Sequence, residues 1–142
     1  PKGVGSFIKA AVEMEMQPQL KQGNGKTVLL DYYFNKETAK DITGTIQQTH
    51  YIWEQKDNGF SLLGDIFKSY GMQTQSLTTA PTEVNLKDAA IYFLIDPDWP
   101  KENKNPNYIE EKHISAIYNW VKAGGVLMMF ANDSNNVEFK NY

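Results

Sequence analysis

The sequence predicts a three-layer α/β fold on an open, mostly parallel sheet, and three observations carry that prediction. Residues 27–31, 89–95 and 125–130 are apolar runs bounded by turn residues and do not alternate, as expected of strands buried on both faces. Segments with helical periodicity separate these runs, with residues 72–77 as a further strand, so strands and helices follow one another along the chain. A length of 142 residues is that of one domain, large enough to bury a real core.

Taken in order, the chain begins with Ser6 placed to cap a helix over residues 7–16, which Gln17-Pro18 ends. Phe7, Ile8, Ala11 and Val12 share one face of it. Residues 17–26 are polar and turn-rich, and 21–25 read as a linker into the α/β unit of residues 26–142. Thr27-Val28-Leu29-Leu30-Asp31 is the first buried strand. Residues 35–59 show no clear period, and a stretch of that length suggests an insertion with a functional or interface use.

Asn58 or Ser61 then caps a helix in which Leu63, Ile66, Phe67 and Tyr70 fall at i, i+3, i+4 and i+7, and Gly71 stops it. Residues 89–95 form the strongest strand, broken at Asp96-Pro97. Asn107, with Glu110 three residues on, marks the start of the best helix, whose core stripe is Ile114, Ile117, Tyr118 and Val121. Gly124-Gly125 ends it and opens the last strand. Pro1 at the start and Lys140-Asn141-Tyr142 at the end give both termini the look of cut ends.

Composition excludes several function classes. All 14 basic residues are lysines, and the net charge is -3. Arginine is the usual bidentate clamp for phosphate and the commonest reader of guanine, so no nucleic-acid partner is expected. Without cysteine there is no thiol nucleophile, disulfide or cysteine zinc site. No segment has the roughly 20 apolar residues of a membrane helix. His50 and His113 are the only histidines, and neither lies in a His-x-x-x-His pattern, so no metal site is expected. His113 reads as a surface residue of its helix and His50 as a packed one. No Gly-x-Ser-x-Gly elbow or phosphate loop is present, and no cofactor is implied.

Ligands of open α/β sheets sit beyond the carboxyl ends of the strands, where strand order reverses. With the runs ordered 2-1-3-4, that point lies between the first and third. The candidate binding residues leaving the strands there are Asp31, Tyr33 and Asn35, then Asp96, Asp98 and Trp99, with Asn132 and Asp133 from the fourth strand. Carboxylates and amides suit sugar hydroxyls or a hard cation such as calcium, and Trp99 or Tyr33 suits stacking on a sugar face. The same residues are also those that make turns and cap helices after strands. An acid/base pair among the aspartates needs one of them raised in pKa. No catalytic residue is assigned.

Two stretches carry a family resemblance. Gly3-Val4-Gly5-Ser6-Phe7-Ile8-Lys9-Ala10-Ala11-Val12-Glu13-Met14 resembles the closing helix of the α/α-barrel in unsaturated rhamnogalacturonyl hydrolases, glycoside hydrolase families 88 and 105. From Lys26 onward, through Asp31-Tyr32-Tyr33-Phe34-Asn35 and Trp120-Val121-Lys122-Ala123-Gly124-Gly125-Val126-Leu127, the chain is similar to the flavodoxin-like, class I glutamine-amidotransferase-like domain appended to some of these enzymes in gut Bacteroidetes. The resemblance implies that residues 1–20 close a barrel and that 26–142 are an accessory domain, incomplete at the C-terminus. It also implies a periplasmic or secreted parent hydrolase acting on unsaturated uronides, whose catalytic aspartate lies in the barrel. The partners implied are that barrel and pectic oligosaccharides.

Three functions follow as expectations. The first is a non-catalytic accessory domain of a glycan-degrading enzyme. The second is a carbohydrate-binding module with Trp99, Tyr33 and Trp53 as platforms. The third is a stand-alone hydrolase using the strand-end aspartates.

Overall fold

A computed structural model describes residues 22–36, 38–40, 43–48, 52–54 and 59–131. The helix read over residues 7–16, His50 and the binding candidates Asn132 and Asp133 lie outside them.

The described chain is a doubly wound α/β unit. Strands β1 (Thr27–Asp31), β4 (Gln73–Leu77), β5 (Ala89–Ile95) and β6 (Val126–Phe130) form one sheet in the order β4-β1-β5-β6, with every pair parallel. This is the 2-1-3-4 order expected for the four runs. Helices α1 (Ser61–Ser69), α2 (Glu83–Leu86) and α3 (Glu111–Lys122) make the crossovers. The stretch that showed no period holds a small antiparallel pair, β2 (Thr38–Lys40) with β3 (Ile46–Gln48), separate from the main sheet.

The period of two along each strand builds two cores on opposite faces. Val28, Leu30, Phe93 and Ile95 face α1, where Trp53, Leu63 and Phe67 join them. Leu29, Tyr92 and Leu94 face the other way, onto Phe34, Leu86, Ile117 and Trp120. Each tryptophan buried here keeps its indole N–H bonded: Trp53 donates to the Gln75 carbonyl and Trp120 to that of Ala89, both at 3.0 Å. Such pairing is required of a buried donor.

Several local expectations need correction. Helix α3 starts at Glu111, with Glu110 as its cap, because the Asn107 amide is drawn away to the Tyr33 carbonyl at 2.8 Å. Its buried face is His113, Ala116, Ile117 and Trp120, while Ile114, Tyr118 and Val121 are 40–63 % exposed. Only Ile117 of the expected stripe is buried, because α3 covers β5 and leaves β6 partly open. Likewise Leu63 and Phe67 pack under α1, whereas Ile66 and Tyr70 are exposed.

Two glycines are required by geometry. Gly71 closes α1 at φ 84, a left-handed conformation that side chains with a Cβ resist. At Gly125 a Cβ would lie 2.2 Å from Trp120 Cε2, so the α3–β6 join passes too close to the indole for any side chain. The turn at residues 22–25 is held to the body of the fold: Gly23 is buried, and its N–H donates to the Tyr70 carbonyl at 2.9 Å.

Candidate functional site at the strand ends

The switch point falls between β1 and β5, as the strand order requires, and the loops leaving these two strands are tied to each other there. Asp31 ends β1, 2 % exposed. Its Oδ2 accepts from the backbone N–H of Phe34 at 2.8 Å and of Asn35 at 3.3 Å, and its Oδ1 accepts from the Tyr92 hydroxyl at 2.6 Å. This carboxyl therefore folds its own loop back over the strand end. Burial pushes its pKa up to about 6, against the lowering effect of the Tyr92 and backbone donors.

The rest of the cluster continues the pattern. Asn35 is buried, and its side-chain amide donates to the Asp96 carbonyl at 2.6 Å. Asp98 is buried, its N–H donates to the Phe34 carbonyl, and its carboxylate accepts from Lys36 N–H at 3.0 Å and from Asn103 Nδ2 at 2.7 Å. Burial raises the Asp98 pKa, with Asn103 and Lys36 pulling it back down and the nearby charge of Asp96 adding to the rise. The structure thus brings Asp31, Asn35, Asp96 and Asp98 together. Within this group Asp31, Asn35 and Asp98 hold two loops in place.

The aromatic candidates stand at the rim. Trp99 carries the Lys101 ammonium 4.5 Å from its ring centroid, and Tyr33 carries that of Lys36 at 5.4 Å, so one face of each ring is covered. Tyr33 also meets Phe34 and His113 edge-on. Trp53 is 6 % exposed and packs against Phe60 and Phe93, so it offers no platform.

Asp96 differs from its neighbours. Its backbone takes φ 45, the one positive φ among the described non-glycine residues. It is only 8 % exposed, yet among the described residues its carboxylate has no hydrogen bond or ion pair. It lines a groove of about 310 Å³ on the α1 face, with Phe60, Leu63, Phe93, Ile95 and Phe130. A second groove of similar volume runs along the opposite face, between α3 and β6, walled by Leu94, Ile117, Tyr118, Leu127 and Met129.

His113 corrects the sequence reading outright. It is 2 % exposed, enclosed by Tyr33 and Phe34, and its Nδ1 accepts from Glu110 N–H at 3.1 Å. Burial holds its pKa below the ordinary imidazole value. Its Nε2 and the Trp99 Nε1 are buried without a partner. A polar residue on the α/β face of its helix, three residues after the cap, was the available signal.

Among the described residues, no three His, Cys, Asp or Glu side chains are grouped to hold a metal ion, and no helix is long and apolar enough to cross a membrane. The arrangement can bind through Asp96 and the groove beside it; among the described residues it offers no carboxylate pair open to a substrate. Comparison with protein-family models, with curated proteins and with solved structures gives no match for this chain.

Proposed function

We propose that the chain is a non-catalytic accessory α/β domain of a periplasmic or secreted glycan-degrading enzyme, partnered with an α/α-barrel that carries the chemistry. The observation that supports the non-catalytic part is the engagement of Asp31 and Asp98 by backbone N–H groups. A general acid has to reach the glycosidic oxygen. Asp31 has a raised pKa, as an acid needs, but it is enclosed with Tyr92 inside the fold. The glycan connection rests on the resemblance of residues 3–14 and of the strand-end and helix-join segments.

The test is direct. The purified chain should release no product from unsaturated glycuronides or from neutral aryl glycosides. Turnover that co-purifies with the chain and disappears in Asp96→Asn would replace this reading with that of a hydrolase. A binding-module reading is favoured by one observation, the unpartnered carboxylate of Asp96 in its groove.

A further inference from the structure

We propose that the groove beside Asp96 is a subsite for a neutral pyranose, an inference that rests on the glycan-linked role above and narrows it to uncharged sugars. The groove holds about 310 Å³, at the small end of ligand pockets and suited to a ligand of one or two sugar rings. Asp96 supplies its polar group. The residue is 8 % exposed, and its carboxylate keeps some contact with solvent while finding no donor among the described residues, so it is open to a ligand's donors at the groove. A pair of adjacent sugar hydroxyls restores two charge-assisted hydrogen bonds to it.

The walls supply the rest. Phe130 stacks on Phe93 with planes 10° apart and centroids at 6.1 Å, yet remains 48 % exposed. An aromatic face is electron-rich, and the C–H face of a pyranose is its natural complement. The positive φ of Asp96 matters here, because regular alternation along β5 would send this side chain to the face opposite Ile95.

Charge decides which sugar. No cationic residue is among the described walls, and Asp96 already repels Asp98. A uronate would add a third carboxylate beside Asp96 and Asp98, against which Lys36 is the cation felt at Asp98. The subsite therefore takes the neutral residues of a glycan and rejects the acidic ones.

The experiment is a titration of the isotope-labelled full chain, followed by amide NMR, with methyl β-galactoside and methyl α-rhamnoside. Methyl α-galacturonoside is the acidic counterpart. Neutral glycosides should shift the amides of Leu63, Phe93, Asp96 and Phe130, and the galacturonoside should bind roughly tenfold more weakly, the equivalent of one lost charged hydrogen bond. Asp96→Asn tolerates the positive φ and should weaken the neutral ligands by about the same factor, with the spectrum outside the groove unchanged. Phe130→Ala should do likewise.

No shift with either neutral glycoside, equal affinity in both variants, or preference for the galacturonoside would overturn the proposal. So would methylammonium binding in their place, which would make the groove a cation site. Binding accompanied by methanol release would support the subsite while overturning the non-catalytic reading; an inactive chain that binds no glycoside would do the reverse.

Discussion

Tyr92 and Asp31 face each other across the β1–β5 seam, with the phenol donating to Oδ1 at 2.6 Å from a position with no solvent exposure. Both central strands of the sheet are joined at this point by side chains as well as by their backbone ladder. The bond lies beneath the loops that close the strand ends.

Removing the donor is the simplest test. Tyr92→Phe keeps the ring packing on Trp120 and leaves one oxygen of a buried carboxyl unpaired. It should cost about 1.5–3 kcal/mol in urea unfolding. It should also raise the Asp31 pKa further, because the Tyr92 bond lowers it.

The pH dependence follows from the same carboxyl. Its folded pKa, about 6, lies above the unfolded value near 3.8, so the folded protein holds the extra proton between them. The stability this confers is complete below about pH 4 and is lost as pH rises through 6, a fall of roughly 3 kcal/mol at most. His113 acts in the opposite sense: its lowered pKa favours the folded state as pH rises toward 6.5. The measurement is therefore a difference. Asp31→Asn should remove the downward slope between pH 4 and 6 that wild type shows relative to it, and parallel curves would contradict the assigned shift.

At the α3–β6 join, Gly125→Ala should displace the Trp120 indole. Overpacking of this kind costs about 1–3 kcal/mol. The tryptophan emission spectrum of the folded protein should change with it. An alanine variant of wild-type stability and unchanged emission would show that the join moves freely.

The two faces of α3 should respond differently. Ile117→Ala empties part of the core and should cost about 2–5 kcal/mol. Tyr118→Ala removes a side chain that is 63 % exposed, and surface changes stay within about 0.5 kcal/mol. Equal losses would mean that something covers the α3–β6 groove in solution.

These particulars show what was legible in the sequence. The strands at 27–31 and 89–95 were visible because a strand buried on both faces needs continuous apolar residues, and that need is local. The run at 126–130 does form β6, but against the expectation of a buried strand Val126, Met128, Met129 and Phe130 are exposed, because β6 stands at the end of the described sheet. The order of the strands was a supposition at that level, and the sheet order β4-β1-β5-β6 agrees with it. The burial of His113 was not legible, because Tyr33 and Phe34, which enclose it, arrive from the far end of β1. Asn107 misled in the same way, since its tertiary acceptor won over a local cap.

At the strand ends the residue types were legible and their use was not. An aspartate after a strand serves a turn or a ligand with the same atoms. Asp31 and Asp98 serve turns because backbone N–H groups fall within reach of their oxygens. Asp96 does not: its carboxylate meets no backbone N–H among the described residues, and its backbone stands at φ 45. No periodicity in the sequence encodes that dihedral angle.

The tie between the two loops also bears on how the molecule assembles. The Tyr92–Asp31 and Asn35–Asp96 bonds each join residues 61 positions apart, and Lys36–Asp98 spans 62. Closing such distances carries a chain-entropy cost before any contact repays it, and parallel pairings of this kind form slowly. Refolding is expected to wait on the meeting of β1 with β5, while α3 and its join to β6 form by short-range steps. Tyr92→Phe should then slow refolding; a change confined to the unfolding rate would place the seam after the barrier.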